Sequence, residues 1–320
     1  MKPKIFITRK IAEEFVKPYR EHWDVEMWHE EGTTVDRQVL LEKASQADAL
    51  ITMLSDAIDQ EVIDAGVNLN VISNLAVGYD NIDVDYAKEK GITVTNTPDV
   101  LTETTADLTF SLLMATARRI IEANQYVKEG KWTNWAPFLM AGTDIHHKTI
   151  GIVGMGRIGE AIAERARGFN MNILYHNRSR KERAEKEIGA TYTSFDELIE
   201  TSDYVVCMTP LTEDTVDMFN ESVFKRMKNS AIFINTSRGG VVNENDLYTA
   251  LETKEIRAAG LDVFQNEPIG QDHPLLQLEN VTALPHIGSA SYETRSTMIE
   301  LCLQNIQQVL AGKEPATPVL

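Results

Sequence analysis

The sequence contains few cysteines, few basic residues and no long apolar run, and each shortage excludes a class of protein. Cys207 and Cys302 are the only two cysteines in 320 residues, and both lie among apolar neighbours. We interpret them as small buried core residues rather than as a disulfide or a metal-binding pair. Unpaired thiols fit a reducing compartment, and we expect no metal site.

Basic residues are outnumbered, with 31 Lys and Arg against 48 Asp and Glu and a net charge of −17 at pH 7. This balance argues against nucleic acid and against an anionic membrane surface as partners. No apolar stretch is long enough to span a bilayer, and the first residues, MKPKIFITRK, lack the apolar core of a signal peptide. We therefore expect a cytoplasmic protein.

The chain has the length and the hydrophobic content, 43%, for two globular domains. Its first hundred residues alternate short extended runs with helical patterns, which predicts a small α/β layer with a mostly parallel sheet. The strand candidates are residues 4–8, 24–27, 49–53, 71–73 and 93–96. Residues 102–127 then predict one long apolar helix, buried against another surface such as a second subunit.

A dinucleotide-binding pattern follows at residues 149–176. An apolar β-branched run at 149–153 ends in a Gly-rich turn, Gly154-Met155-Gly156-Arg157-Ile158-Gly159, which opens a helical pattern and then a second strand at 172–176. Gly154 allows the turn, Gly156 lets a pyrophosphate approach, and Gly159 lets the helix pack on the strand. The alternative is an ordinary Gly-rich turn, but the strand and helix on both sides favour a Rossmann-type site.

The end of the second strand indicates which dinucleotide fits. An NAD site usually places Asp or Glu there to accept from the ribose 2′-hydroxyl. This chain has Asn177-Arg178-Ser179-Arg180 instead, which leaves room for a 2′-phosphate and offers it two guanidinium groups. A solvated charged loop is the alternative. We expect NADP to be preferred, with NAD possible.

Three later strand candidates end in Arg238, Glu267 and His286. Ligands of open α/β sheets bind beyond the carboxyl ends of the strands, so these groups should converge. Arg238 can hold a substrate carboxylate and polarise a carbonyl, and His286 can give a proton to an alkoxide as hydride arrives. Glu267 would orient the imidazole ring. Taken singly, each could instead be an ordinary loop cation, surface carboxylate or core histidine.

The whole chain resembles the D-isomer-specific 2-hydroxyacid dehydrogenase family, and within it the glyoxylate/hydroxypyruvate reductases. The resemblance is carried by VGYDNIDVDYAKEKGITVTNTPDVLTETTADLTFSLL, GIVGMGRIG, NTSRGGVVNENDL, AAGLDVFQNEP and LPHIGSAS. It implies an α/β fold in which a Rossmann-type doubly wound cofactor domain, residues 99–288, is inserted into a flavodoxin-like substrate domain, residues 1–98 and 289–320. It also implies a homodimer.

The resemblance assigns roles to further residues. The family's catalytic Arg, Glu and His fall on Arg238, Glu267 and His286. Its substrate-binding positions fall on Leu54, Ser55, Val77, Gly78, Arg238, His286 and Ser289. Its cofactor contacts fall on Thr104, Gly154, Gly156, Arg157, Ile158, Gly159, Asn177, Arg178, Ser179, Arg180, Thr209, Pro210, Thr215, Thr236, Ser237, Asp262 and Gly288.

Comparison with particular members of the family at two positions bears on the activity, and the resemblance leaves three functional hypotheses. Leu139 stands where animal glyoxylate/hydroxypyruvate reductases use a Trp from the partner subunit, so substrate preference could differ. Formate dehydrogenases have Gln where Glu267 stands, which argues against that activity. The first hypothesis is NADPH-dependent reduction of glyoxylate to glycolate and of hydroxypyruvate to D-glycerate. The others are an NAD-dependent D-lactate or broad-range dehydrogenase, and a dinucleotide-sensing binding protein related to corepressors.

Overall fold

The computed structural model of the protein describes residues 2–319. The strands are β1 (Lys4–Ile7), β2 (Asp24–Met27), β3 (Ala49–Thr52), β4 (Val71–Asn74), β5 (Thr93–Thr95), β6 (Thr149–Val153), β7 (Asn172–His176), β8 (Thr191–Tyr192), β9 (Tyr204–Cys207), β10 (Ile232–Asn235), β11 (Ala258–Leu261) and β12 (Val281–Ala283). The helices are α1 (Glu13–Val16), α2 (Arg37–Ala44), α3 (Gln60–Ala65), α4 (Val84–Glu89), α5 (Thr102–Ala117), α6 (Ile120–Lys128), α7 (Arg157–Gly168), α8 (Glu182–Ile188), α9 (Phe195–Thr201), α10 (Glu221–Phe224), α11 (Glu244–Glu252) and α12 (Tyr292–Leu310).

The chain divides into two compact units. One contains the residues up to Leu101 together with those from Ala290 onward, and the other is Thr102–Ser289. The borders predicted from the sequence, 98/99 and 288/289, lie three residues and one residue before these. The assignment of one unit to substrate and the other to cofactor stays a prediction.

The first unit is a five-stranded parallel sheet in the order β2-β1-β3-β4-β5. Successive strand residues point to opposite faces, so Ile5 and Ile7 pack in one cluster and Phe6 in the other. Helix α12 covers the face of Ile5 and Ile7 with Leu303 and Ile306. This strand order is that of flavodoxin-like folds, as predicted.

The second unit is a seven-stranded sheet in the order β12-β11-β10-β9-β6-β7-β8, and every pairing in it is parallel. Helices cover both faces, because Ile150 and Ile152 pack in a cluster with α5 and α7 while Val153 and Phe233 pack with α9 and α11. The order reverses between β6 and β9, which makes this a doubly wound Rossmann-type sheet. The fold class predicted from the sequence is confirmed.

The prediction of a single helix at 102–127 is wrong. Helix α5 ends at Ala117, and α6 starts after Arg119, whose φ of 54° lies in the left-handed region. The carbonyl of Ala117 accepts the N–H of Thr143, and a Cβ on Gly142 would lie 2.2 Å from the same oxygen. The segment at 142–143 therefore occupies the place that the next helical turn would need.

No helix between residues 2 and 319 combines the length and the apolar character that crossing a bilayer requires.

Candidate active site

The Gly-rich turn joins β6 to α7 at the point where the strand order of the second unit reverses. Gly154 has a φ of 104°, and a Cβ there would lie 2.6 Å from the carbonyl of Met208. A Cβ on Gly159 would lie 2.4 Å from the Gly154 oxygen, whereas Gly156 faces open space. The outer two glycines are thus required by packing, and the exposed Gly156 leaves space for a ligand.

Helix α7 begins without a side-chain cap. Asp36, Asp59, Asp83, Ser194, Asn220, Asn243 and Ser291 each accept a backbone N–H at the start of another helix. At α7 the capping position is Gly156, which has no side chain to accept one, and Arg157 and Ile158 follow in the first turn. The N–H groups and positive dipole end of this twelve-residue helix suit a phosphate group.

The end of β7 braces the Gly-rich turn. The side-chain amide of Asn177 accepts the N–H of Met155 at 2.8 Å and donates to its carbonyl at 3.2 Å. Asn177 is therefore a support of the turn, a role that the sequence did not indicate. Arg178 and Ser179 are both exposed, and Arg178 makes no hydrogen bond or ion pair with residues 2–319.

Arg180 is already engaged by a carboxylate. Its Nε and Nη2 atoms lie 2.7 and 2.8 Å from the two carboxylate oxygens of Glu185, which also accepts the hydroxyl of Tyr175. The guanidinium group of Arg180, which the sequence analysis predicts to bind a 2′-phosphate, therefore forms an ion pair with Glu185 instead. Of the two predicted arginines, Arg178 is the one whose charge faces solvent without a carboxylate partner in the described chain.

The loops after β9 and β10 hold the next predicted cofactor residues. Thr209 and Pro210 follow β9, and the Thr215 hydroxyl closes this loop by donating to the Pro210 carbonyl at 2.7 Å. Thr236 and Ser237 follow β10 and are buried, and their hydroxyls contact Thr109 and Asn235 respectively. These side chains support the loops, and the backbone of each loop remains the part that a cofactor could meet.

Arg238 sits in a turn that Asn235 organises. Asn235 accepts the N–H of Ser237 at 3.0 Å and donates to the carbonyl of Arg238 at 3.0 Å. A Cβ on Gly239 would lie only 1.9 Å from the carbonyl carbon of Phe264, so the turn after β10 is pressed against the turn after β11. This contact brings the Arg238 turn next to the segment that carries Glu267.

Glu267 and His286 form a hydrogen-bonded pair. Glu267 Oε2 lies 2.7 Å from His286 Nδ1, and Glu267 Oε1 accepts the N–H of Phe264 at 2.9 Å. The two side chains are only 26% and 23% exposed, so the pair is partly shielded from water. His286 Nε2 makes no hydrogen bond to residues 2–319 and stays available to a ligand.

The pKa of Glu267 keeps it ionised at neutral pH. Burial acts to raise this pKa, but the hydrogen bond and charge of His286, the Phe264 N–H and the charge of Arg238 outweigh burial, and the pKa lies below its usual value. A carboxylate can only accept hydrogen bonds, so Nδ1 of His286 carries the shared hydrogen. Proton exchange with a substrate must then occur at Nε2.

Asp262 fixes the backbone at His286 and keeps one oxygen spare. Its Oδ1 accepts the N–H of Ile287 at 2.8 Å, whereas its buried Oδ2 has no hydrogen-bond partner in the described chain. Burial raises the pKa of Asp262, although the Ile287 N–H and the charge of His286 act against this. Gly288 adjoins the spare oxygen, since a Cβ there would lie 3.4 Å from it.

The sequence analysis missed a support behind Glu267. His273 Nε2 lies 3.2 Å from Glu244 Oε2, and Glu244 Oε1 accepts the N–H of Gln265 at 2.7 Å. The ring of His273 also meets the edge of Phe264. Glu244 and His273 thus anchor the loop that presents Glu267. Glu244 and His273 are 23 and 6 residues from Glu267 along the chain, and only the segments NEND and DHPLL indicated ordered turns there.

All but one of the remaining predicted substrate residues lie in loops of the first unit. Leu54 and Ser55 follow β3 and are exposed. The carbonyls of Val77 and Gly78, after β4, accept the side-chain amides of Asn96 and Asn74 at 2.7 and 2.9 Å. Their own N–H groups make no hydrogen bond to residues 2–319. Ser289 is the last residue of the second unit, and Thr104 is in the first turn of α5.

The second unit fits a nicotinamide dinucleotide on two counts. The Gly-rich turn and the uncapped start of α7 offer N–H donors to a pyrophosphate. The spare oxygen of Asp262 is a buried acceptor that suits the amide hydrogens of a nicotinamide carboxamide. Among residues 2–319, no group of three or more His, Cys, Asp and Glu side chains is placed to hold a metal ion.

Fold and site together define a dinucleotide-dependent oxidoreductase. A family model described as "D-isomer specific 2-hydroxyacid dehydrogenase, NAD binding domain" matches residues 110–288. The chain belongs to the D-isomer-specific 2-hydroxyacid dehydrogenase family, which confirms the resemblance seen in the motifs. It is accordingly an NAD(P)-dependent oxidoreductase that acts on a small molecule.

Three relatives show which members of this family the chain is similar to. The chain is 50% identical to a glyoxylate reductase of Korarchaeum cryptofilum, and the match covers 98% of this chain and 95% of the relative. It is also 50% identical to a glyoxylate reductase of Thermococcus onnurineus, with 100% of this chain and 96% of the relative covered. A solved NADPH-dependent glyoxylate/hydroxypyruvate reductase of Sinorhizobium meliloti, in complex with NADP and malonate, is 33% identical with a TM-score of 0.89, covering 100% and 97%.

Proposed function

We propose that the protein reduces glyoxylate to glycolate and hydroxypyruvate to D-glycerate, with NADPH as the preferred hydride donor. The observation that carries this proposal is the 2.7 Å contact of Glu267 with His286, on the same compact unit as the Gly-rich turn. A proton donor held beside a dinucleotide site suits carbonyl reduction. The glyoxylate reductases among the relatives support the choice of substrate.

Each catalytic side chain has one task in this reaction. Bound NADPH supplies the hydride to the carbonyl carbon. His286 gives the Nε2 proton to the carbonyl oxygen, which becomes the new hydroxyl, and the neutral ring keeps its Nδ1 hydrogen and donates it to Glu267. Glu267 orients the ring. Arg238 holds the substrate carboxylate with its guanidinium fork and polarises the carbonyl.

The other predicted substrate residues complete the proposed site. The N–H groups of Val77 and Gly78, which make no hydrogen bond to residues 2–319, would donate to the substrate carboxylate, and we propose that Leu54, Ser55 and Ser289 also have roles in substrate binding. Backbone N–H groups are suitable hydrogen-bond donors to a small carboxylate. Replacement of Arg238 by Lys keeps the charge and removes the fork, so it should mainly lower kcat/KM for glyoxylate.

The preference for NADPH is supported by the end of β7. The Glu185 carboxylate, which follows β7, already accepts hydrogen bonds from Arg180 and Tyr175, so it is not offered to a ribose 2′-hydroxyl. Arg178 is exposed and makes no ion pair in the described chain. We propose that Arg178 is the main contact of the 2′-phosphate, with Arg180 in a smaller role.

We further propose a homodimer that works in the cytoplasm. Helix α6 and the segment after it expose an apolar strip that includes Ile121, Val127, Trp135 and Phe138. Of these residues, Ile121 lines a groove of about 890 Å³, and exposed apolar side chains of this kind mark protein interfaces. Cys207 and Cys302 are buried free thiols, which suits a reducing compartment.

A steady-state assay tests the proposed function. NADPH and NADH oxidation is followed with glyoxylate, hydroxypyruvate and pyruvate, and kcat/KM should be highest with NADPH and the first two. Dominant turnover of pyruvate with NADH would instead support a D-lactate type of dehydrogenase. Cofactor binding without turnover of any 2-oxo acid would support a dinucleotide sensor.

His286→Ala separates catalysis from binding. It should lower kcat by about 10²–10⁴-fold, because no proton donor replaces the ring. NADPH affinity, measured by fluorescence titration, should stay close to that of the wild type. A variant that keeps its kcat would contradict the role given to His286.

A further inference from the structure

A buried polar network lies at the place where the sheet of the first unit is best suited to bind a ligand. In a sheet of order β2-β1-β3-β4-β5, the strand order reverses between β1 and β3, and ligands bind beyond the carboxyl ends there. Thr8 and Arg9 directly follow β1, and residues 53–56 directly follow β3. The exposed Leu54 and Ser55 belong to the second of these segments.

Arg9 is the centre of this network. Its side chain is only 11% exposed, and its charge is balanced by Asp56, whose side chain is fully buried. Nη1 donates to Asp56 Oδ1 at 3.1 Å and to the Thr8 carbonyl at 2.6 Å. Nη2 donates to Ser55 Oγ at 2.8 Å. A nearly buried cation therefore has one arm directed at an exposed hydroxyl.

The segment that carries Ser55 is held from two other sides. Asp56 Oδ2 accepts the N–H of Met53 at 2.8 Å and also the Thr8 hydroxyl. Asn81 donates to the carbonyls of Met53 and Asp56, each at 3.0 Å. The backbone on both sides of Ser55 is thus held by hydrogen bonds, and Arg9 holds the Ser55 side chain.

The direction of the Arg9–Ser55 bond determines what Ser55 can do. A guanidinium group only donates, so the Ser55 oxygen must be the acceptor. The hydroxyl hydrogen makes no hydrogen bond to residues 2–319 and can be donated outward. An accepted charge-assisted bond also polarises the hydroxyl and makes it a better donor. The arrangement is complementary to an anionic acceptor.

We propose that Arg9 is a positioning residue for the substrate, because it fixes Ser55 so that the Ser55 hydroxyl donates to the carboxylate of a 2-oxo acid. Arg9 itself touches no substrate in this scheme. Its buried charge is neutralised by Asp56, and its contribution reaches the substrate through Ser55 alone. This inference rests on the proposed function and adds to it the part of the first unit that orders the substrate loop.

A double-mutant cycle tests the proposal. Arg9→Lys keeps a cation for Asp56, but a single ammonium group cannot also reach Ser55, and Ser55→Ala removes the donor. Each variant should raise KM for glyoxylate about tenfold, the loss expected for one charge-assisted hydrogen bond. The double variant should show the same increase as Ser55→Ala, whereas kcat and KM for NADPH should stay close to wild type.

Arg20→Lys is the matched control. Arg20 lies in the same unit and likewise donates to a carboxylate, Glu13, and to a carbonyl, Val25, but it contacts no residue of 53–56. It should leave KM for glyoxylate unchanged. Urea unfolding of every variant separates a loss of stability from a loss of substrate binding.

The outcomes of these experiments distinguish a failure of the Arg9 proposal from a failure of the proposed function. Unchanged KM in Arg9→Lys, or KM increases that multiply in the double variant, would overturn the role of Arg9 while the active wild type upholds the proposed function. If Arg9→Lys does not fold, Ser55→Ala decides alone, because an unchanged KM in that variant removes the link to substrate. A wild type that is inactive on every 2-oxo acid would instead overturn the proposed function.

Discussion

His286 has a backbone φ of 54°, in the left-handed region that few side chains adopt. The structure compensates for this conformation with the Ile287 N–H bond to Asp262 and the ring bond to Glu267. Such conformations cluster at functional sites, where the surrounding contacts hold a side chain in one orientation. The backbone thus aims the ring, and the two carboxylates keep it there.

The pair of Glu267 and His286 predicts a pH dependence. Burial acts to raise the pKa of Glu267, but the hydrogen bond and charge of His286 lower it, so Glu267 is ionised at neutral pH and Glu267→Gln removes a negative charge 2.7 Å from the ring. In Glu267→Gln the alkaline limb of kcat/KM for glyoxylate should therefore move to lower pH, with activity partly recovered in acid. Profiles of kcat/KM against pH for both proteins check this. An unmoved alkaline limb would exclude Glu267 as the partner.

The same shift has a consequence for stability. A lowered pKa means that Glu267 stabilises the folded protein above the usual carboxyl pKa of 4.5 and loses this contribution as pH falls through the lower folded value. The wild type should exceed Glu267→Gln in free energy of unfolding at pH 7, and the difference should shrink as pH falls below 4.5. Urea titrations at several pH values measure the difference.

The ionised carboxylate of Asp262 should lower the stability of the fold and strengthen the binding of the cofactor. Its raised pKa means that the ionised, buried carboxylate destabilises the fold at neutral pH, and the cost disappears as pH falls below the usual carboxyl pKa. Asp262→Asn should raise Tm at pH 8 but not at pH 3.5. Its KM for NADPH should rise about tenfold because the spare acceptor is lost. A lower Tm at pH 8 would contradict this account.

Single residues were only partly predictable from the sequence. Arg238, Glu267 and His286 follow strands, so their approach could be foreseen from the edge of the sheet. The bond of Arg180 to Glu185 and the brace of Asn177 on Met155 could not, because both depend on side-chain rotamers within loops. The contact of Arg9 with Asp56 joins residues 47 apart, and no local pattern signals it.

Among the elements, the contact between the turns after β10 and β11 places Arg238. Gly239→Ala would put a methyl group 1.9 Å from the Phe264 carbonyl carbon, so the turns must separate. We expect a loss of about 1–3 kcal/mol of stability and a lower kcat. Gly240→Ala is the control, since its Cβ would meet only the flexible Leu211 side chain at 3.1 Å. Equal Tm and kcat in both variants would argue against this contact.

The turn between β7 and α8 should set the cofactor preference. Arg178→Ala should raise KM for NADPH by about tenfold or more and leave KM for NADH nearly unchanged, because only NADPH has the 2′-phosphate. Arg180→Ala should have a smaller effect, since Glu185 already uses its fork. Arg183, which pairs with Glu187 at 3.2 Å, provides the control. Equal changes for both cofactors would exclude a phosphate contact.

The bounds of most elements could be predicted because apolar runs and Asp, Ser or Asn caps mark them. β2, β6 and β7 agree residue for residue with the predicted runs. The break after Ala117 was missed, since no Gly or Pro stands at Arg118 or Arg119 and the cause is the distant segment at Gly142. Helix propensity could not signal a tertiary obstruction of this kind.

At the scale of the whole molecule, the apolar strip of α6 predicts association. A sedimentation measurement should give about twice the chain mass of 35.9 kDa. Ile121→Asp with Val127→Asp should shift the protein toward the monomer, because both side chains are more than half exposed on α6. Val67→Asp, at an even more exposed apolar site of the first unit, should leave the mass unchanged. A monomeric wild type would refute the dimer.

The first unit is assembled from both ends of the chain, and this governs the order in which the protein matures on the ribosome. Domains usually fold as they emerge, the earliest first. Here Ile5 and Ile7 of β1 can be covered only after Leu303 and Ile306 of α12 have been synthesised. The unit Thr102–Ser289 is contiguous in the chain, so it can fold before the first unit is complete. The nascent chain therefore carries an open apolar face for on the order of ten seconds or more, the time needed to translate the middle. During that interval a holding chaperone has a defined surface to protect.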